Sequence, residues 1–123
     1  MSSTVLIVDD YADALEVLEL TLGFAGYRTV RAATGLEAVR QASAHKPDAV
    51  VMDVFLPQLD GISAAVQIRA LPGMQDVRIV GYTARSGRFD DAAVFDCVLR
   101  KPCPPDVLLA TLAALLHRDC PAG

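Results

Sequence analysis

Short, largely apolar runs without regular polar alternation are the feature that most constrains the fold of this chain. Such runs cover residues 4–8, 49–52 and 77–82, and shorter or more polar versions cover residues 27–32 and 97–100. A strand that is apolar at successive positions is buried on both faces, as strands of parallel sheets are. The chain must therefore cover both sides of one sheet.

The segments between the first three runs carry helical signals. Residues 11–23 have leucines at helical spacing. Thr34 and Glu37 match a capping box, in which the Thr34 hydroxyl accepts a hydrogen bond from the Glu37 amide and the Glu37 carboxylate reaches back to the Thr34 amide. This pattern predicts a second helix over residues 34–44, which Pro47 prevents from continuing.

Further helices are expected later in the chain. Asp60 is placed as the N-cap of a helix that ends before residues 71–73, which read Leu-Pro-Gly. Pro104 and Pro105 favour the start of a last helix that continues to about Arg118. Between the fourth and fifth strands, the sequence predicts only a short or irregular helix over residues 90–95.

Five strands separated by helical segments predict a doubly wound α/β domain. Short connections between parallel strands make right-handed crossovers, so the helices lie on both faces of one five-stranded parallel sheet. A chain of 123 residues without an internal repeat or linker fits a single domain over residues 1–123.

Composition excludes several classes of function. The net charge is −4 and no basic stripe is present, which argues against direct nucleic-acid binding. No apolar run is long enough to span a bilayer, so no membrane insertion is expected, and the N-terminus lacks the basic and apolar regions of a signal peptide. Cys97, Cys103 and Cys120 are odd in number and lack metal-ligand spacing, so they indicate reduced thiols and a cytoplasmic location.

Polar side chains stand at the carboxyl ends of the predicted strands. Asp9 and Asp10 follow the first strand, Asp53 the third, Thr83 the fourth and Lys101 the fifth. The carboxyl ends of parallel strands share the edge at which such sheets bind ligands. We therefore expect these five side chains to form one site.

The chemistry of this set favours phosphoryl transfer. Three carboxylates in one pocket repel one another, and a divalent cation removes the conflict; an all-oxygen set suits Mg²⁺. The ammonium of Lys101 and the hydroxyl of Thr83 add donors for a phosphoryl group. A carboxylate can itself be the nucleophile, as in enzymes that form an aspartyl phosphate.

Four motifs, in order, resemble the receiver domains of two-component response regulators. They are LIVDD at residues 6–10, DVFLPQLDG at residues 53–61, TA at residues 83–84 and KP at residues 101–102. The resemblance covers essentially the whole chain. It implies a flavodoxin-like sheet with the strand order 2-1-3-4-5.

The resemblance also implies roles for individual residues. Asp53 matches the phosphoacceptor of the family, and Asp10 matches its direct Mg²⁺ ligand. Asp9 matches the acidic neighbour that acts through water, and the backbone carbonyl of Phe55 matches the remaining protein ligand. The implied metal set is therefore Asp9, Asp10, Asp53 and Phe55.

Lys101 and Thr83 match the residues that contact the phosphoryl group in this family. The Lys101–Pro102 peptide bond is typically cis there. Val98 stands where many members have Tyr or Phe, so a ring that swings together with Thr83 is not expected.

Phe55 and Arg85 occupy positions that tune hydrolysis of the phosphoaspartate in the family. Because the apolar Phe55 side chain cannot orient an attacking water, we expect slow self-dephosphorylation. The segment between Thr83 and Lys101 is shorter than is usual in the family, where it contributes to the surface that contacts signalling partners. We therefore expect that surface to be remodelled here.

The leading hypothesis is a Mg²⁺-dependent switch that receives its phosphoryl group from a sensor histidine kinase or a phosphotransfer protein. It would catalyse its own phosphorylation without being a conventional turnover enzyme. Its downstream protein target is unknown, and a free-standing regulator and an excised receiver both remain open.

Three other hypotheses stay open with less support. The first is an interaction domain that does not depend on phosphorylation. Val98, in place of the usual aromatic residue, is consistent with this hypothesis. The second is a phosphohydrolase, which would require a second acid at the position of Phe55. The third is a nucleotide-binding flavodoxin-like protein, which would require a glycine-rich loop after the first strand.

The last helix is apolar on more than one face. Leu108, Leu112 and Leu115 line one face, whereas Leu109 and Leu116 turn towards another. A wide core face explains this pattern, and so does a homodimer or partner surface.

Overall fold

The part of the chain that the structure describes contains five strands and four helices. The computed structural model describes residues 3–54, 56, 59–83, 94–101 and 103–117, and of His117 only the backbone. In chain order the elements are β1 (Thr4–Val8), α1 (Ala12–Phe24), β2 (Arg28–Ala32), α2 (Gly35–His45), β3 (Ala49–Asp53), α3 (Gly61–Arg69), β4 (Arg78–Thr83), β5 (Cys97–Arg100) and α4 (Pro105–His117).

All neighbouring strands of the sheet are parallel, in the order β2-β1-β3-β4-β5. The predicted doubly wound α/β fold and its strand order are confirmed. Strand β3 includes Asp53 and strand β4 includes Thr83, so each runs one residue further than the sequence predicted. The register pairs Asp53 with Tyr82 and Thr83 with Arg100 across neighbouring strands, which aligns the carboxyl ends that carry the polar side chains.

The sheet separates two hydrophobic layers. Alternate residues of β1 point to opposite faces, as a strand's period of two requires. Leu6 packs in the layer that contains Ala42 of α2 and Ile68 of α3. Ile7 packs in the layer that contains Leu22 of α1 and the leucines of α4. Because both faces are covered, β3 is buried throughout and β1 and β4 are buried at all but their first residue, as their composition predicts.

The apolar surface of α4 faces mainly the core. Leu108, Leu112 and Leu115 are buried, and Leu109 and Leu116 are partly buried against the same layer. The structure therefore favours the wide core face over the dimer surface, and a dimer through this helix stays a prediction.

The helix starts agree with the sequence except in one hydrogen bond. The Thr34 hydroxyl accepts from the Glu37 amide at 3.0 Å, and the Asp60 carboxylate accepts from the Ser63 amide at 2.8 Å, as predicted. The Glu37 carboxylate, however, accepts from the amide of Ala33 at 2.6 Å, so the predicted partner at Thr34 was wrong. Thr34 itself has the extended backbone usual for an N-cap, at φ −137° and ψ 163°, and the Glu37 carboxylate reaches the amide one residue before it.

Some predictions fall on residues outside the described ranges. The short helix predicted over residues 90–95 lies mostly there, as does Cys120. Cys97 and Cys103 are free thiols. Among the described residues, no helix has the length and apolar character needed to cross a bilayer.

Candidate functional site

The carboxyl edge of the sheet brings three acidic side chains together. Asp9 and Asp10 follow β1, and Asp53 is the last residue of β3. One carboxylate oxygen from each lies within 4.8 Å of the others. Asp9 and Asp53 are buried and Asp10 is exposed, so the cluster opens to solvent on one side.

Lys101 joins two of these carboxylates. Its ammonium donates to Asp9 Oδ2 at 3.0 Å and to Asp53 Oδ2 at 3.1 Å. Burial opposes the charge and would lower the pKa of Lys101, but the hydrogen bonds to Asp9 and Asp53 outweigh burial and raise it. The Lys101 amide donates to the Thr83 carbonyl at 2.8 Å, which ties the end of β5 to the end of β4.

Asp9 is the most enclosed acid of the site, with 1% of its surface exposed. Its Oδ1 accepts from the Tyr11 amide at 3.0 Å, and its Oδ2 accepts from the Tyr82 hydroxyl at 2.6 Å as well as from Lys101. Burial alone would raise the pKa of Asp9, but these hydrogen bonds, led by that from Tyr82, hold it below its ordinary value. Asp9 is therefore a charged group satisfied by protein donors.

Close backbone packing fixes the position of Asp53. The first residue of α3 is Gly61, whose amide donates to the Val54 carbonyl at 2.9 Å. A Cβ on Gly61 would lie 2.5 Å from the Asp53 carbonyl oxygen. Only glycine lets the start of α3 approach the end of β3 this closely.

Tyr82 is a site residue that sequence analysis missed. In the sequence, Tyr11 and Tyr82 flank the predicted site and are interpreted as residues that pack at strand ends; this packing is confirmed for Tyr82, which is buried near the end of β4, and was wrong for Tyr11. The Tyr11 side chain is 65% exposed, and the buried Tyr82 side chain reaches Asp9 with its hydroxyl. A buried tyrosine needs an acceptor for its hydroxyl, and the carboxylates predicted for this edge were the available signal.

The Tyr82 ring and hydroxyl serve different neighbours. The Lys101 ammonium lies 4.4 Å from the ring centroid, within cation–π range. Burial, and then the hydrogen bond to Asp9, raise the pKa of Tyr82 far above its usual value. The hydroxyl is therefore a permanent donor at physiological pH.

The donor set fits a magnesium ion. Three carboxylates face one ammonium among the described residues of the cluster, which leaves an excess of negative charge on one solvent-accessible side. All the candidate ligand atoms are oxygens, which hard divalent cations prefer. Asp10 and Asp53 are the two carboxylates that the Tyr82 hydroxyl does not engage.

The remaining predicted site residues are partly outside the described ranges. Thr83 is buried at the end of β4, beside this cluster. Phe55, Arg85 and the Lys–Pro bond at Pro102 fall on residues that the structure does not describe. Val98 packs against the layer formed by α2 and α3.

Comparison with known sequences identifies bacterial relatives over nearly the whole chain. The response regulator receiver domain profile matches residues 5–113. The transcriptional regulatory protein PrrA of Mycobacterium tuberculosis is 39% identical over 121 residues, which are 95% of this chain and 51% of PrrA. The response regulator MprA of the same species is 37% identical over 125 residues, 98% of this chain and 54% of MprA. The chain spans about half the length of these relatives.

Solved structures give the same result. The receiver domain of a sensor histidine kinase from Pseudomonas aeruginosa, which has a magnesium ion coordinated in its active-site cleft, is 34% identical with a TM-score of 0.81, covering 96% of this chain and 97% of that one. The chemotaxis protein CheY4 of Vibrio cholerae is 28% identical with a TM-score of 0.88, covering 94% and 99%. The chain belongs to the response regulator receiver domain family, which serves two-component signalling.

Proposed function

We propose that this receiver domain is a phosphorylation-dependent switch that accepts a phosphoryl group on Asp53. The observation that carries the proposal is the Lys101 ammonium, placed between Asp53 and Asp9 at the open edge of an acidic cluster. An ammonium at 3.1 Å from Asp53 is already positioned to contact an anionic group attached to that carboxylate.

In the transfer step, a carboxylate oxygen of Asp53 forms a bond to phosphorus. The bond between phosphorus and the imidazole nitrogen of the donor's phosphohistidine breaks, and that nitrogen keeps the electron pair. A carboxylate needs no base to remove a proton before it attacks. Lys101 stabilises the negative charge on the transferred group, and the Thr83 hydroxyl is a further donor for it from β4.

Mg²⁺ would be held by Asp10 and Asp53 directly and by Asp9 through water, with the Phe55 carbonyl as a further ligand. When bound, Mg²⁺ neutralises the carboxylates and the phosphoryl oxygens. The indirect role of Asp9 is supported by its hydrogen bonds, since Tyr11, Tyr82 and Lys101 already donate to its oxygens. The 34% identical Pseudomonas receiver domain with magnesium in its cleft supports the same ion here.

The partner that supplies the phosphoryl group is a sensor histidine kinase or a phosphotransfer protein, and the receiver of the signal is a protein not yet identified. The new charge on Asp53 would draw Lys101 and Thr83 towards it and change the surface near β4 and β5. PrrA is a transcriptional regulatory protein about twice as long as this chain. The absence of direct DNA contact, like a cytoplasmic location, therefore stays a prediction for these residues.

The test is the intact mass of the protein after incubation with acetyl phosphate, with and without Mg²⁺. We expect one phosphoryl adduct on the wild type with Mg²⁺, and none on Asp53→Ala or without the ion. Asp76→Ala, which removes an exposed carboxylate away from the site, is the matched control and should be modified like the wild type. A folded wild type without an adduct would favour the interaction domain that does not depend on phosphorylation.

A further inference from the structure

Asp9 Oδ2 receives two donors that differ in mobility. The Tyr82 hydroxyl lies 2.6 Å away and the Lys101 ammonium 3.0 Å away. The Tyr82 ring is buried in the core layer between the sheet and helices α1 and α4, so its hydroxyl is fixed in place. The Lys101 side chain is 26% exposed and extends over that ring on a flexible stem.

The two donors face different demands when Asp53 is modified. Lys101 is shared between Asp9 and Asp53, and a phosphoryl group on Asp53 adds anionic oxygens that compete for the same ammonium. If Lys101 were the only donor, its movement would leave an oxygen of a buried carboxylate without a partner. Such a loss opposes the movement, because a buried charge without a hydrogen bond is strongly destabilising.

We propose that Tyr82 is a positioning residue that keeps Asp9 satisfied and correctly oriented while Lys101 transfers to the phosphoryl group. The inference rests on the proposed function of the site and adds a device that the family motifs quoted above do not contain. The tyrosine hydroxyl stays on Oδ2 in both states, so the ammonium leaves Asp9 at little cost. Tyr82 thereby favours the phosphorylated state over the unphosphorylated one.

The placement of Tyr82 explains why this residue can act so. The register pairs it with Asp53 across β3 and β4, yet it sits on the face of the sheet opposite to that of its neighbour Thr83. Its ring is buried in the core layer that α1 and α4 cover, and its hydroxyl ends at Asp9 Oδ2. With 6% of its surface exposed, Tyr82 contacts Asp9 from the core and leaves the solvent-exposed side of the cluster, at Asp10, open.

The test compares Tyr82→Phe, which keeps the ring and removes the hydroxyl, with the wild type. Tyr27→Phe is the matched control, since Tyr27 packs against the same core layer away from the site. Calorimetric titrations would measure the affinity for Mg²⁺ alone, and then the affinity for beryllofluoride, an anion that resembles a phosphoryl group, at saturating Mg²⁺. Tyr27→Phe should match the wild type in both.

We expect Tyr82→Phe to bind Mg²⁺ with an affinity within about two-fold of the wild type, because Lys101 still satisfies Asp9 in that state. Its affinity for beryllofluoride should fall about ten-fold, the value of one hydrogen bond to a charged group. An equal loss of both affinities would mean that the hydroxyl is only structural, and unchanged affinities would mean that it has no role. Either result would overturn the inference.

A stability measurement without Mg²⁺ keeps the inference separate from the proposed function. Tyr82→Phe and Lys101→Met each remove one donor from Asp9 Oδ2, and the double variant removes both. We expect the urea midpoint of the double variant to fall by clearly more than the sum of the two single shifts, because only then is the oxygen left without either donor. A wild type that fails to bind beryllofluoride would contradict the proposed function. The comparison of the single and double variants then tests the inference by itself: coupled shifts of the urea midpoint support the two-donor arrangement, and additive shifts overturn it.

Discussion

Two ionic clusters stand at opposite ends of the same sheet, and they are completed in different ways. At the carboxyl end, Lys101 is shared between Asp9 and Asp53, with Asp10 nearby. At the amino end, the Arg69 guanidinium pairs with Asp96 at 2.9 Å. The first cluster has an excess of negative charge, whereas in the second the Arg78 guanidinium also lies 3.9 Å from Asp96, so two cations share one carboxylate.

The amino-end cluster is satisfied by backbone groups as well as by charge. Arg69 donates to the carbonyls of Val94 and Val77 at 3.0 and 2.8 Å, in addition to its bond to Asp96. Asp96 also accepts from the Ile79 amide at 2.7 Å, so the network links the end of α3 to the starts of β4 and β5. The contrast indicates that one end of the sheet is built for stability and the other is kept short of positive charge for binding.

The largest effect is expected from a substitution that breaks the amino-end cluster. Arg69→Met leaves the partly buried Asp96 without its closest cation and two carbonyls without their donor, so we expect the free energy of unfolding to fall by about 3 kcal/mol. Urea unfolding measures the change. Arg31→Met, which breaks an exposed ion pair with Glu19, should have little effect. Similar losses in both variants would show that the amino-end network is no stronger than a surface pair.

The next effect concerns the close approach of α3 to the site. Gly61→Ala places a Cβ 2.5 Å from the Asp53 carbonyl, so we expect a loss of about 2 kcal/mol in the free energy of unfolding, together with slower phosphorylation by acetyl phosphate. Gly23→Ala in α1 is the matched control, because its Cβ meets no atom within 4 Å. That variant should be stabilised by about 0.5 kcal/mol. A Gly61→Ala protein with wild-type stability would contradict the packing described for the start of α3.

A smaller effect distinguishes the two clusters by their response to Mg²⁺. Lys101→Met removes the cation between Asp9 and Asp53, and the unbalanced carboxylates should then gain more from the ion. We expect saturating Mg²⁺ to stabilise this variant by about 1 kcal/mol more than it stabilises the wild type. Thermal unfolding with and without the ion provides the measurement. Arg69→Met should show only the wild-type increment, and an equal increment in Lys101→Met would argue against a cation deficit at the carboxyl end.

The smallest effect appears at acidic pH. The pKa of Asp9 in the folded protein lies below its ordinary value of 3.8, so its contribution to stability is present above that pH and is lost as the pH falls through the folded pKa. Wild type and Asp9→Asn should therefore differ by a constant free energy of unfolding near neutral pH. The difference should shrink only in acid, below about pH 4. A difference that already disappears between pH 7 and pH 5 would show that the pKa is not lowered.

The fold and most of the candidate site could be read from the sequence because both follow from local patterns. Apolar runs located the strands, and the acids that follow the first and third of them fall on one edge in any parallel sheet. The resemblance to receiver domains added the strand order, which periodicity could not provide. Strand ends were each placed within a residue, since Asp53 and Thr83 extend β3 and β4 by their last hydrogen-bonded pairs.

What the sequence did not show are contacts between distant polar residues that belong to no motif. Arg69 and Asp96 are 27 positions apart, and Tyr82 and Asp9 are 73 apart. A tyrosine in an apolar strand looks like any core residue until the register places its hydroxyl. Likewise, the sequence pattern predicted that the Glu37 carboxylate would meet an amide at the helix start, but not that this amide would be the one of Ala33.

The hydroxyl contact of Tyr82 has an optical consequence. The chain contains no tryptophan and three tyrosines, of which Tyr82 is the one buried at the site. The near-ultraviolet absorption of a phenol moves to longer wavelength, and its emission weakens, when it donates to a carboxylate. The absorption of Tyr82 is therefore expected to report whether its hydroxyl donates to the Asp9 carboxylate. A difference spectrum between wild type and Tyr82→Phe would let the site be followed in real time without any attached label.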